Sequence, residues 1–214
     1  MSEFTYEELA PHYQLDRNSL EITRVDCVPV TLEDFKEITK KLPPSHNLEL
    51  AANKITVKMP VSALTGQREA YLIGRITIWC ENNPLLVGLV GSSNVYYNLP
   101  LPNPTVRSPD ASVVLAARWG ALTRNEQEEA FPSVTPNFIA EVRSVNDSWQ
   151  FCHDKMLVYM DAGVDEGILI DPIDRTLTCY RISRNNIVWG TRNNPRSFTS
   201  RILNGFVLNL NNII

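Results

Sequence analysis

Two stretches of this 214-residue sequence repeat their apolar residues at helical spacing, and most of the rest alternates or runs short and apolar. That contrast of periods leaves few fold choices. In QREAYLIGRITIWCEN, following Thr65-Gly66, the residues Leu72, Ile73, Ile76, Trp79 and Cys80 form one helical stripe. The second helix runs from about Asp147 through WQFCHDKMLVYM to Gly163, a residue suited to a left-handed stop. Strands are predicted at 85–90 (LLVGLV), 94–99, 110–115 (DASVVL) and 137–143 (NFIAEVR). GILID and RTLTCYRIS then pair around an Asp171-Pro172 turn, and Asn185-Asn186 turns the chain into IVW and a closing FVLNLNNII. Helix, strands, helix, strands predicts an α/β (α+β) architecture, a sheet with helices packed against it.

The N-terminal part is read separately. Residues 1–30 are weakly patterned and suit an arm or a short strand. Thr31-x-x-Asp34 resembles a capping box, since a hydroxyl and a carboxylate can satisfy the free N–H groups of a first turn. Phe35, Ile38 and Leu42 supply the apolar stripe of that helix, and Pro43-Pro44 ends it. LELAANKITVKM at 48–59 alternates on both sides of a polar break and predicts a hairpin. The expected division is residues 1–46, an arm and helix packed on the core, and residues 47–214, the main domain. Thr123-x-x-Glu126 caps a further short helix.

Composition narrows the classes of function. Hydrophobic residues at 43% and charged residues at 21% allow a sizeable core and exclude global disorder. No window approaches the roughly 18 apolar residues of a membrane helix, and the acidic start MSEFTYEELAPHY is unlike a secretory signal. Cys27, Cys80, Cys152 and Cys179 are scattered without metal spacing, as expected of reduced thiols in a cytoplasmic protein. The net charge is -4, from 20 basic and 24 acidic residues. A surface of that balance does not grip nucleic acid through general basicity.

Several charged residues stand where apolar ones are expected. Glu69 lies three and four positions before Leu72 and Ile73, on the core face of its helix. Asp110 follows Ser108-Pro109, where proline favours an extended Ser108, and opens the strand continuing through Val113. Aspartate in that place also serves simply to end a turn. In FIAEVRS, Ile139, Glu141 and Arg143 share one face of a strand, and the glutamate is costly to bury unless paired or bound to a metal. The other reading is an edge strand with Glu141 and Arg143 in solvent. Lys155 borders the apolar stripe of the second helix, where most lysines reach out to water. Glu49 sits between Leu48 and Leu50 and suits a solvated hairpin face, and His153 suits a helix surface. Together, Glu69, Asp110 and Glu141 are three carboxylates whose convergence needs a hard cation between them. Such oxygen ligands select Mg2+ or Mn2+.

Pro109-Asp110 followed by Glu141-Val142-Arg143 resembles the PD-(D/E)XK nuclease signature. More closely, the chain from about residue 47 to its end resembles a bacterial restriction-endonuclease-like family abundant in cyanobacteria. The resemblance rests on MPVSALTGQREAYLI, VRSPDASVV, RWGALTRNEQEEAF, FIAEVRS, DKMLVYMDAGVDEGILIDP, RTLTCYRI and NGFVLNL, in that order. It implies a restriction-endonuclease-like core and a divalent-metal-dependent endonuclease acting on DNA. Asp110 and Glu141 would be the metal ligands, Glu69 the helix acid, and Glu49 a weaker candidate. Arg143 stands where the signature has lysine: it keeps the positive charge but cannot readily exchange a proton at neutral pH, so the catalytic cation would be Arg143 itself or Lys155 from the next helix. Ser-Val-Asn-Asp follows Glu141-Val142-Arg143 where relatives show Ser-Pro-Ser-Asp or Ser-Pro-Ser-Thr. The arginine also leaves open a degenerate nuclease domain kept for nucleic-acid binding or assembly. A homodimer would suit duplex cleavage by presenting two sites to two strands.

Overall fold

A computed structural model describes residues 13–16, 20–41 and 47–214. In chain order the elements are β1 (Tyr13–Asp16), β2 (Glu21–Arg24), α1 (Leu32–Lys41), β3 (Asn47–Ala51), β4 (Lys54–Lys58), α2 (Ala63–Asn82), β5 (Val87–Ser92), β6 (Tyr97–Asn98), β7 (Val106–Arg107) and β8 (Ala111–Leu115). They continue with α3 (Ala116–Trp119), α4 (Arg124–Gln127), β9 (Phe138–Val142), α5 (Trp149–Asp161), β10 (Glu166–Asp171), β11 (Thr176–Ser183), β12 (Asn186–Asn193), β13 (Ser197–Thr199) and β14 (Val207–Asn209). No described helix is long and apolar enough to cross a membrane.

The chain divides into two compact units. Residues 1–60 and 98–107 form the first, and residues 61–97 and 108–214 the second. The hairpin at 47–58 therefore belongs with the N-terminal helix, whereas the sequence had suggested a division at 46/47. In the first unit the sheet runs β1-β2-β4-β3-β7-β6. The β3–β4 turn is closed by Ala52 and Asn53, both at positive φ (50° and 62°), the geometry of a two-residue hairpin loop. The Thr31 capping box forms as read: Asp34 N donates to Thr31 Oγ1 at 3.0 Å while Thr31 N donates to the Asp34 carboxylate at 2.9 Å. Leu42 and Pro43-Pro44, the expected last turn and stop, lie outside the described residues, as does the start of the arm.

The second unit is built on a six-stranded sheet in the order β12-β11-β10-β9-β8-β5. β9 and β10 are parallel, and the other neighbours are antiparallel. β9 lies between β8 and β10 with all five residues buried, so it is an interior strand. The solvent-facing edge reading of Glu141 is thereby excluded. α5 joins β9 to β10 as a crossover helix, and Gly163 at φ +91° ends it as expected.

Two helices cover opposite faces of this sheet. α2 contributes Leu72, Ile76, Trp79 and Cys80 to a core with Ala111, Val113, Phe138, Ala140, Val142, Ile168 and Ile170. Phe198, Phe206 and Leu208 of the C-terminal segment complete that face. Residues of the alternate set, such as Ile139, Gly167 and Tyr180, face α5. A Cβ at Gly167 would stand 2.6 Å from Met156 Cε, so the missing side chain lets α5 sit close on the sheet. α2 begins at Ala63, ahead of the expected start, because Ser62 caps it and its hydroxyl accepts from Thr65 N at 3.2 Å.

Candidate active site

Asp110 and Glu141 meet through strand register. β8 and β9 pair Ala111 with Ala140 and Ser112 with Ile139, so continuing the ladder by one residue sets Asp110 opposite Glu141. Directly opposed residues share a face, with Cβ atoms about 5 Å apart. That face is the one under α5. Asp110 also ends the ladder chemically: its Oδ2 accepts from Val142 N at 2.8 Å. Just before it, Ser108 is fully buried and donates its hydroxyl to Ser93 O at 2.7 Å, which fixes the approach to Pro109-Asp110.

Both carboxylates are removed from water, Asp110 at 9% and Glu141 at 7% relative exposure. Buried carboxylates need charged or hydrogen-bonding company. α5 supplies it for Glu141: Lys155 Nζ lies 2.8 Å from Glu141 Oε1, and the Tyr159 hydroxyl donates to the same oxygen at 3.0 Å. Lys155 and Tyr159 are one helical turn apart, so both can address one carboxylate. Lys155 is itself only 8% exposed. It does not reach out to water, as a lysine at the edge of an apolar stripe usually does. Tyr159 was not a site candidate in the sequence, because nothing there distinguishes it from a core aromatic.

Arg143 is employed elsewhere. Its Nη1 contacts Asp171 Oδ2 at 2.6 Å and Asp174 Oδ2 at 2.8 Å, and its Nε donates to Asp147 O at 2.9 Å. These contacts hold the guanidinium above its ordinary pKa, the Asp171 hydrogen bond being the largest cause. Arg143 therefore ties the loop after β9 to the β10–β11 turn, and the cation beside Glu141 comes from Lys155.

The third acid is placed differently. Glu69 is partly exposed on α2, and α2 packs on the sheet face opposite the one carrying Glu141. Among the described residues, no group of three or more His, Cys, Asp and Glu side chains is arranged to hold a metal ion. What the register brings together is a pair of carboxylates. Glu49 is buried rather than solvated: it is 3% exposed, with Arg107 Nη1 at 2.7 Å and Lys58 Nζ at 3.7 Å within the first unit. His153 is likewise no surface residue. It is 7% exposed, stacked on Trp149 at 4.6 Å between ring centroids, with Nδ1 2.8 Å from the Tyr180 hydroxyl.

Residues 32–211 match the family model Uma2, described as "Putative restriction endonuclease". The chain belongs to the Uma2 family. Its fold is also that of a solved structure described as a putative nuclease belonging to DUF820 from Anabaena variabilis ATCC 29413. The TM-score is 0.68 at 17% identity, over 86% of this chain and 97% of the other. At that identity the likeness concerns the fold, which is the helix-flanked mixed sheet expected from the sequence. Among curated proteins none matches. Within the Uma2 match lie Asp110, Glu141 and Lys155, and the segment also takes in Glu49 and Glu69.

Proposed function

We propose that this Uma2 protein is a nuclease that hydrolyses DNA phosphodiester bonds with a divalent cation held by Asp110 and Glu141. The observation that carries the reading is the juxtaposition of two buried carboxylates on one sheet face with Lys155 Nζ 2.8 Å from one of them. Charges removed from water in this way cost stability, and such arrangements concentrate at functional sites. The family description and the nuclease fold support the same reading.

The donor set suits the cation. Mg2+ is commonly bound by one or two carboxylates, the remaining positions going to water and substrate phosphate oxygens. Two cross-strand carboxylates meet that requirement without a third acid. When bound, the cation supplies an activated water and neutralises charge on the phosphate. The protein's own groups then have separate tasks. Asp110, anchored by Val142 N, holds one carboxylate rigidly at the end of β8. Glu141 is oriented by the Tyr159 hydroxyl. Lys155 brings a fixed positive charge to the place where negative charge grows on the phosphoryl oxygens.

Cleavage of plasmid DNA in Mg2+ or Mn2+ tests this. Asp110→Ala and Glu141→Ala are each expected to lower the rate by at least about a hundredfold, as for the removal of a preorganised electrostatic group. Undiminished cleavage by both variants overturns the assignment. A second reading is a nuclease fold that binds nucleic acid or assembles without cutting. It is favoured by the two-acid site and by Arg143 in the signature lysine's place. Calorimetric titration without any heat of Mg2+ or Mn2+ binding would select it. Sedimentation equilibrium would show whether the protein works as a homodimer.

A further inference from the structure

The opposite face of the second unit's sheet holds a cleft that the proposed chemistry does not use. Along β11 and β12, Cys179 and Arg181 face away from α5, since their neighbour Tyr180 faces His153 beneath it. Their register partners Gly190 and Val188 do the same, as does Arg192, the partner of Leu177. β13 closes the other side with Ser197 and Thr199, and Arg201 follows it. The cleft encloses about 550 Å³, the size of small-molecule sites in general.

Its charge is unbalanced. Arg181, Arg192 and Arg201 all line it. Glu166, entirely buried behind Arg181, is already spent: its Oε1 lies 2.7 Å from Arg181 Nη2, and its carboxylate also accepts from the Ser200 hydroxyl and from Arg201 N. Among the described residues neither Arg192 nor Arg201 is paired with a carboxylate. Arg192 Nη2 instead lies 3.8 Å from Cys179 Sγ. Burial raises that thiol's pKa, so the sulfur stays neutral and leaves the charge uncompensated. The cleft thus gathers three planar guanidinium forks and the hydroxyls of Ser197 and Thr199 around one space. A carboxylate ligand has two oxygens to offer such a set. A phosphate has more, and arginine forks match its geometry.

We infer that the cleft bounded by Arg181, Arg192 and Arg201 is a binding site for phosphate groups, separate from the Asp110–Glu141 pair. Those groups belong either to a free nucleotide or polyphosphate or to a nucleic-acid backbone crossing the back of the sheet.

Isothermal titration calorimetry in a chelating buffer, with pyrophosphate and with a short single-stranded oligodeoxynucleotide, tests the site. Wild-type protein is expected to bind. Arg192→Gln and Arg201→Gln should each weaken binding about tenfold, the value of a hydrogen bond to a charged group. Each should also reduce the salt dependence of oligonucleotide binding by a slope of about 1. The double Lys variant, which keeps charge but not the fork, should retain part of the affinity. Because both arginines are exposed, an unchanged thermal melt will separate lost binding from lost fold. Pyrophosphate binding without oligonucleotide binding identifies a small phosphate ligand, and mutual displacement identifies a backbone. Binding that is identical in Arg192→Gln/Arg201→Gln and wild type, or absent for both probes, overturns the proposal. Asp110→Asn should bind both probes like wild type even where it no longer cuts, so failure of the nuclease reading leaves this one standing.

Discussion

Removing Lys155 isolates the central interaction of the site. Its ammonium lies 2.8 Å from Glu141 Oε1, and both residues are under a tenth exposed. Coulomb's law at an effective dielectric of about 20 gives roughly 6 kcal/mol of attraction at that distance. Desolvation costs several kcal/mol per ion, so the intact pair adds little net stability. Breaking it is different, because a buried charge is left behind at a cost of about 3–5 kcal/mol. Lys155→Met and Glu141→Gln are each expected to lose that much in urea unfolding, with the thermal midpoint falling by roughly 10 °C for a chain of this size. The double variant, which leaves neither charge, should lose far less than the sum, with a coupling energy of a few kcal/mol. Metal-dependent cleavage should be lost in all three. If Lys155→Met were as stable as wild type, Glu141 could not be a buried carboxylate compensated by that lysine, and its role beside the phosphate would lose its basis.

Further outcomes follow from other contacts. Arg143→Lys restores the signature's residue type but should not speed cleavage, since one ammonium cannot reproduce the fork that joins Asp171, Asp174 and Asp147 O; Arg143→Ala should cost about 3 kcal/mol of stability by removing the cation from Asp171, which is 1% exposed and would keep only the backbone donors Ile173 N and Asp174 N. Burial raises the Cys80 thiol from 9.0 to about 11 and Cys152 to about 12, the latter helped by Asp147 and Glu141. The folded state therefore favours neutral thiols, so stability should be full below about pH 9 and decline as pH rises through 11 and 12. A urea midpoint that stays flat over that range speaks against it. Ser62→Ala should cost about 1 kcal/mol by uncapping α2, read as a lower urea midpoint with unchanged cleavage.

Elements whose signals are local were legible. α2 and α5 carry their own periodicity, Gly163 its own left-handed stop, and Thr31 and Thr123 their own caps. What depended on distant partners was not. Glu49 looked solvated because Arg107, which buries and pairs it, lies 58 residues away. His153 looked like helix surface because its partners Tyr180 and Trp189 come from strands formed later in the chain. The division into two units escaped for the same reason: residues 98–107 return to join residues 1–60 across a whole helix and strand.

The site was half legible, and the missing half has a physical explanation. Asp110 and Glu141 are legible because Pro109-Asp110 and Glu141-Val142-Arg143 resemble the nuclease signature; the register that sets them side by side belongs to the folded sheet. For the cation the sequence offers two candidates, Arg143 in the signature lysine's place and Lys155 on the next helix, and the fold decides between them. Arg143, two residues after Glu141, has the right charge in the right motif position, yet it stands just past the end of β9 at Val142. Past that end the chain meets Asp171 and Asp174, and a guanidinium with several fixed donors is better suited to bridging two carboxylates and a carbonyl than a point charge is. Once Arg143 is drawn there, a buried Glu141 requires a cation from another element. α5 is the helix that crosses its face, and Lys155 and Tyr159 reach Glu141 from successive turns. The lysine on the helix and the arginine in the strand motif are therefore one arrangement: replacing either alone should not recover the signature's chemistry.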